Sequence, residues 1–96
     1  MASVVITIKV MPTGPDKDLG KIEEYCKKEI VNFVDEKHKE DEIRVEIEEI
    51  GFGIKALKFT FVYDEAVGAS DKLEEALSSH EDIESVEAVD VRRAIG

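Results

Sequence analysis

The first residues of the chain alternate in a way that predicts a β-strand. The run from Ser3 to Met11 is rich in β-branched residues, which favour strands. Every second side chain of a strand points to the same face, and four apolar residues occupy these positions: Val4, Ile6, Ile8 and Val10. Pro12 and Gly14 follow, and because proline lacks a backbone donor and glycine tolerates turn dihedrals, we expect a turn there.

Residues 16–34 have the spacing of an amphipathic helix. Their apolar positions recur every three or four residues and share one helical face: Leu19, Ile22, Cys26, Ile30 and Phe33. Asp16 and Asp18 stand where an acidic side chain caps or stabilises the start of a helix. Residues 35–41 contain no apolar residue, which predicts a solvated connection or a frayed helix end.

The middle of the chain predicts a β-hairpin. Residues 43–48 alternate strictly between apolar and charged side chains, as a half-buried strand does. Residues 54–63 alternate again and place large apolar side chains on one face: Leu57, Phe59, Phe61 and Tyr63. Gly51 and Gly53 lie in the short link between the two runs, which favours an antiparallel pair joined by a tight turn.

The last third of the chain predicts a short helix and a final strand. Asp71 is the expected N-cap, with Glu74 three residues later as in a capping box. Residues 83–91 alternate and predict a strand with one face formed by three residues: Val86, Ala88 and Asp90. Residues 92–96 are expected to follow this strand as a short tail.

The predicted element order is β-α-β-β-α-β. This order is typical of the ferredoxin-like, split βαβ arrangement, which is an α+β fold. We expect a four-stranded antiparallel sheet with two helices on one face and the other face open. The chain of 96 residues fits one domain, residues 1–96. The fold alone indicates no function, because it supports many.

Composition argues against several classes of function. Thirteen basic and 23 acidic residues give a net charge of −10, which disfavours direct nucleic-acid binding and docking on an anionic membrane. No apolar run approaches the roughly 20 residues of a bilayer span, and no signal peptide is visible, so we expect a cytoplasmic protein. Cys26 lies on the apolar helix face and is expected in the core. His38 is expected to be solvated, and we expect no catalytic group, metal site or cofactor.

Phe52 lies between two glycines, Gly51 and Gly53, at the expected hairpin turn. Glycines on both sides allow the turn to project from the sheet. One interpretation is that the ring folds back as a lid over the core, since aromatic residues are usually buried. The other is that the ring anchors a partner by entering a pocket on it. Both interpretations stay open at the level of the sequence.

Arg92 and Arg93 stand out in the distribution of charge along the chain. Residues 64–90 hold ten acidic residues and one basic residue, a net charge of −9, whereas residues 91–96 carry +2. A solvated terminal pair is the commoner meaning of two adjacent arginines. The concentration of positive charge directly after the most acidic segment favours a function for the pair.

Three segments resemble one known family: residues 8–12 (IKVMP), 51–57 (GFGIKAL) and 89–93 (VDVRR). They resemble translation elongation factor 1-beta in its short archaeal form, which is similar to the C-terminal exchange domain of the eukaryotic protein. The resemblance covers nearly the whole chain, and residues 51–57 are its most specific part. Residues 29–42 depart from the family pattern, which predicts a longer first helix or a longer loop after it.

The resemblance implies a guanine-nucleotide exchange factor, which makes or breaks no covalent bond. Such proteins bind the GTPase elongation factor 1-alpha and promote release of GDP, so that GTP can rebind. In the family a basic residue near the C-terminus enters the magnesium and phosphate region of the GTPase, and this residue corresponds to Arg93, with Arg92 beside it. The family's Gly-Phe-Gly segment contacts the second domain of the GTPase, which implies four partner-binding residues here: Gly51, Phe52, Gly53 and Lys55.

Two other functions remain as alternatives. The first is a small-molecule-binding regulatory module of the same fold, with its ligand at a strand or loop edge. The second is an RNA binder that stacks bases on exposed aromatic side chains of the open sheet face. The net charge opposes the second, and Phe59 and Phe61 share a face with Leu57, as is typical of a core.

Overall fold

The chain folds into an antiparallel sheet with two helices packed on one of its faces. The computed structural model describes residues 2–95, and its elements are β1 (Ala2–Pro12), α1 (Leu19–Phe33), β2 (Arg44–Gly51), β3 (Ile54–Asp64), α2 (Asp71–Ser78) and β4 (Ile83–Ile95). Two short 3₁₀ helices precede β2 and α2: Glu36–His38 and Glu65–Val67. The strand order across the four-stranded sheet is β2-β3-β1-β4. The predicted ferredoxin-like α+β fold is confirmed.

The core lies between the helices and the central strands β1 and β3. Antiparallel pairing sets Ile6 opposite Phe61 and Ile8 opposite Phe59, so the apolar faces predicted for both strands coincide. All four of these side chains are buried. Paired residues on one face of a sheet contact each other directly, and this pairing therefore builds a continuous apolar layer under the helices.

The helices begin at polar caps close to the predicted positions. The Asp18 carboxylate accepts a hydrogen bond from the Lys21 amide at 3.2 Å, so Asp18 rather than Asp16 is the N-cap of α1. The N-cap of α2 is Ser70, one residue before the predicted Asp71. Cys26 is buried on the core-facing side of α1, as predicted. Burial, followed by the negative charge of Glu29, raises the pKa of the Cys26 thiol to about 12, which makes the thiol inert at neutral pH.

The connection after α1 is more ordered than predicted. His38 was expected to be solvated, but its side chain is only 17% exposed and its Nδ1 lies 2.7 Å from an Asp35 carboxylate oxygen. The same oxygen accepts the backbone amide of Asp64 at 2.8 Å. The Asp35 carboxylate therefore links the polar segment after α1 to the end of β3.

The final strand differs most from its prediction. Thr7 pairs with Asp90 and Ile8 pairs with Ala88, so Val89 is the extra residue of a β-bulge. The bulge shifts the alternation, and Asp90 therefore lies on the opposite face from Ala88, contrary to the prediction. The strand also continues to Ile95, so the predicted tail of residues 92–96 is wrong within the described residues: Arg92 and Arg93 lie inside β4.

Candidate functional site

The Gly-Phe-Gly segment forms the tip of the β2–β3 hairpin. Gly51 pairs with Ile54, which leaves Phe52 and Gly53 as a two-residue turn. The φ angles of Gly51, Phe52 and Gly53 are 126°, 54° and 79°, and such left-handed values suit glycine far better than a residue with a side chain. Two-residue hairpin turns with positive φ at both central positions match the twist of the strands that they join. The glycines therefore permit a tight turn, and the turn holds Phe52 in a left-handed conformation.

Phe52 is fully exposed, with a relative accessibility of 101%. The interpretation of its ring as a lid over the core is therefore wrong, because Phe52 neither belongs to the core nor packs against it. Two further apolar residues of the same hairpin are also exposed, Ile47 at 60% and Ile50 at 40%. Ile50 lies at a break in the β2–β3 register. The β2–β3 hairpin thus presents three large apolar side chains that are not buried in the core.

The remaining predicted hairpin residues lie beside the turn between β1 and α1. Lys55 is exposed and pairs with Glu49 of β2. Gly53 and Lys55 line a shallow groove together with Pro12 and Pro15. A Cβ atom added to Gly53 would lie 3.4 Å from Cβ of Pro15, so the two turns are in close contact. This contact supports the hairpin tip from one side.

Arg93 lies on the helix-covered side of the sheet, at the far end of β4. It pairs with Val4, which packs against the core. Its guanidinium donates two hydrogen bonds to the Glu65 carboxylate: Nη2 to Oε1 at 2.8 Å, and Nε to Oε2. The Arg93 side chain is nevertheless 63% exposed and that of Glu65 45% exposed. Arg93 is thus a surface cation held in a two-bond pair.

Arg92 points to the opposite, open face of the sheet. Its backbone pairs with Val5, and its Nε donates to Asp90 Oδ2 at 3.1 Å. Successive residues of a strand alternate between faces, so the two arginines cannot enter one site from the same direction. The bulge at Val89 decides which of the two lies on the helix side, because an unbroken alternation from Ala88 would have placed Arg92 there.

The structure does not bring the predicted site residues together. Phe52 lies two residues before the start of β3. Arg93 lies near the other end of that strand, because Val4 of β1 pairs with both Arg93 and Tyr63. At roughly 3.3 Å per residue, the two ends are about 30 Å apart. The described residues extend 43 Å along their longest axis. The hairpin residues and the arginines are therefore two separate regions at opposite ends of one sheet.

Sequence reasoning missed Glu65, the partner of Arg93. The two residues are 28 positions apart, and neither has a local motif that would link them. The strand order indicates why the two residues meet. The end of β3 and the end of β4 lie on either side of the start of β1, where Ser3 pairs with Asp64 and Val4 pairs with Arg93. A residue directly after β3 therefore comes close to Arg93 once the strand order is known.

The rest of the described surface offers less specific chemistry. A groove of about 610 Å³ lies between α1 and α2, but residues 2–93 include no buried charged or polar residue that would orient a ligand in it. On the open face, β1 and β3 present Thr7 and Thr60, whose hydroxyls are 2.9 Å apart, while the aromatic side chains of β3 face the core. Among the described residues no three acidic, cysteine or histidine side chains converge as metal ligands would. No described helix is long and apolar enough to span a bilayer.

Comparison with known proteins identifies the family. Residues 5–94 match the model of the EF-1 guanine nucleotide exchange domain. The chain is 43% identical to elongation factor 1-beta of Methanosphaera stadtmanae over 97% of this chain and 98% of that protein. It is 44% identical to the factor of the same name from Methanothermobacter thermautotrophicus, over the same shares of the two chains. It is 40% identical to that of Pyrobaculum neutrophilum over 85% of this chain and 84% of the relative. The chain therefore belongs to the archaeal elongation factor 1-beta family of guanine-nucleotide exchange domains.

Proposed function

We propose that the chain releases GDP from elongation factor 1-alpha by presenting Arg93 to the magnesium and phosphate site of that GTPase, with Phe52 as a second anchor. Membership of the exchange-domain family supports the role in translation elongation. The observation that carries the more specific proposal is the location of Arg93. Its guanidinium is exposed at one end of the sheet, and its partner Glu65 is a surface carboxylate, whose exposed ion pair is weak.

Electrostatics explains how such a cation would act. In GTPases a magnesium ion bridges phosphate oxygens and neutralises their charge. A guanidinium is always charged and presents five donors in a planar fork that fits phosphate and carboxylate oxygens. Brought into that site, it competes with magnesium for the same ligands, and the bound GDP loses part of its stabilisation.

Thermodynamic linkage completes the mechanism. A factor that binds the nucleotide-free GTPase more tightly than the GDP form lowers the affinity for GDP by the same factor. GTP then rebinds and releases the exchange factor. The chain's own residues take part in no covalent step in this scheme.

The hairpin tip supports a second contact. Phe52 is exposed and conformationally strained, as expected of an aromatic anchor that becomes buried in a complex. Since Phe52 and Arg93 lie about 30 Å apart, the GTPase would have to contact the sheet at two places. Gly51 and Gly53 shape the tip, and Lys55 adds a positive charge next to it.

Release of a fluorescent GDP analogue from elongation factor 1-alpha tests the role of Arg93. We expect the wild-type chain to accelerate release and Arg93→Ala to reduce the acceleration by about tenfold or more, since a hydrogen bond to a charged group contributes roughly 1.5–3 kcal/mol. Arg92→Ala is the matched control, because it removes the same charge from the neighbouring residue on the opposite face, and most of the acceleration should remain.

Two outcomes would contradict the proposal in different ways. A wild-type chain without any effect on GDP release would refute the exchange activity itself. Full acceleration by the Arg93→Ala variant would leave exchange intact and refute the role of Arg93.

A further inference from the structure

Glu65 and Arg93 form a two-bond ion pair between segments that the fold fixes independently. On one side, Asp64 caps the second 3₁₀ helix by accepting the Ala66 amide at 2.8 Å, and its own amide donates to Asp35 at 2.8 Å. On the other side, β4 holds Arg93 opposite Val4. The backbone segments that carry Glu65 and Arg93 are therefore each held in place, and the ion pair forms between two anchored positions.

The geometry of the pair matches the contact proposed for the GTPase. Two parallel N–H···O bonds to a two-oxygen anion are the arrangement in which arginine binds carboxylates and phosphates most strongly. Both side chains are about half exposed or more, so an external anion can reach the guanidinium and water can solvate the released carboxylate. Glu65 thus occupies the Nε/Nη2 edge of Arg93, one of the two edges through which a guanidinium can bind a two-oxygen anion.

We infer that Glu65 is an internal competitor that stands in for a two-oxygen anion of the GTPase site and releases Arg93 when this edge of the guanidinium engages the GTPase. This inference rests on the proposed function. Glu65 acts through Arg93 and weakens the productive complex by the strength of the ion pair that has to open. The anion that replaces it is a carboxylate of the GTPase, which has the same two-oxygen edge as Glu65. A phosphate of the bound nucleotide has that edge too, but by linkage a contact with the phosphate alone would hold GDP more tightly.

The variant Glu65→Gln tests this role, because glutamine keeps the shape of the side chain and removes its charge. We expect the concentration that gives half-maximal acceleration of GDP release to fall about two- to fivefold, the range that an exposed ion pair supports. In an Arg93→Ala background the same substitution should change nothing, since the competition no longer exists. Glu23→Gln is the matched control: it alters the net charge equally and breaks the exposed pair of Glu23 with Lys27 (3.0 Å) on α1, and exchange should not change.

Binding measurements identify the replacing anion. A gain in affinity for the GDP-bound GTPase alone indicates a phosphate of the nucleotide. An equal gain for the nucleotide-free GTPase indicates a carboxylate of the protein. The second result supports the competitor role. The first would overturn it, because by linkage a contact made only with the GDP form tightens GDP binding instead of promoting its release.

Three further results would overturn it. Unchanged or weaker exchange by Glu65→Gln, with a lowered melting temperature, would show that the pair only stabilises the fold. An equal gain in the Arg93→Ala background would show that Glu65 acts by its charge and not through Arg93. An equal gain with Glu23→Gln would show an effect of net charge alone. The proposed function fails separately, if Arg93→Ala exchanges as well as wild type.

Discussion

Two features of Phe52 are energetically unfavourable in the isolated chain. Its ring is exposed to water, and its backbone has a φ of 54°. A left-handed conformation costs a residue with a Cβ roughly 1–2 kcal/mol relative to the right-handed one. Both features support the proposal that Phe52 contacts a partner, in which its ring would become buried.

The substitution Phe52→Gly separates the effect of this residue on stability from its effect on binding. Glycine tolerates the positive φ, so we expect the free energy of unfolding to rise by about 1 kcal/mol and the melting temperature by roughly 4–8 °C. Loss of the ring should weaken binding to elongation factor 1-alpha by about tenfold to a hundredfold, because burial of a phenylalanine side chain contributes roughly 1.5–3 kcal/mol. Thermal unfolding and titration calorimetry measure the two effects.

Phe52→Leu serves as the control for this experiment. It keeps a large apolar side chain and the unfavourable φ, so the stability should stay near that of the wild type and most of the affinity should remain. A Phe52→Gly chain that is more stable and still binds with wild-type affinity would show that the ring is not an anchor.

At the level of elements, the sequence predicts the regular parts of the fold and misses its irregular parts. Alternation and helical spacing identify all four strands and both α-helices, because each has one apolar face in contact with the core. The bulge at Val89 has no such signature, since apolar residues occur on both sides of it and only the pairing with β1 reveals it. The same bulge determines that Arg93, and not Arg92, meets Glu65. The sequence therefore identifies the two adjacent arginines but not the face of the sheet on which each of them lies.

The polar contact at Asp35 shows how a connection can stabilise the fold. Partial burial alone would raise the pKa of this carboxyl, but the hydrogen bonds from the Asp64 amide and from His38 outweigh it, and the pKa of Asp35 lies below its usual value. A carboxylate with a lowered pKa contributes stability that is fully present above its unfolded pKa of roughly 3.9 and is lost as the pH falls through the lower folded pKa. The contact joins the segment after α1 to the end of β3, next to Glu65.

We therefore expect Asp35→Asn to lower the melting temperature at pH 7. We also expect the variant to lose less stability than the wild type as the pH falls from about 4 to about 2. Asparagine can still accept the Asp64 amide, so the difference reports the charge. Urea unfolding across this pH range measures it. Glu36→Gln, on an exposed neighbour, should leave both the stability and its pH dependence unchanged. An Asp35→Asn chain that loses stability as steeply as wild type in acid would contradict this role.

At the scale of the whole molecule, negative charge is concentrated on one flank. Residues 64–90, which carry a net charge of −9, include α2 and the first part of β4. These two elements pack against each other, and β4 is an edge strand of the sheet. The acidic flank thus lies along one long side of the molecule, close to the Glu65–Arg93 pair at its end. We expect it to steer the chain toward a basic surface of the GTPase, since a field of one sign raises association rates by about 10- to 1,000-fold.

Association kinetics at increasing salt test this steering. Salt screens charges that are separated by more than about 8–10 Å, so the association rate constant should fall steeply between low and high ionic strength while the dissociation rate constant changes little.

A triple substitution on the acidic flank, Glu75→Gln, Glu81→Gln and Glu84→Gln, should lower the association rate and its salt dependence. A matched triple substitution elsewhere, Glu24→Gln, Glu40→Gln and Glu42→Gln, changes the net charge by the same amount and should have a smaller effect. If the two triple variants associate equally fast, only the total charge matters and the flank has no directing role. If the wild-type rate is insensitive to salt, steering is absent altogether, and the acidic flank serves solubility alone.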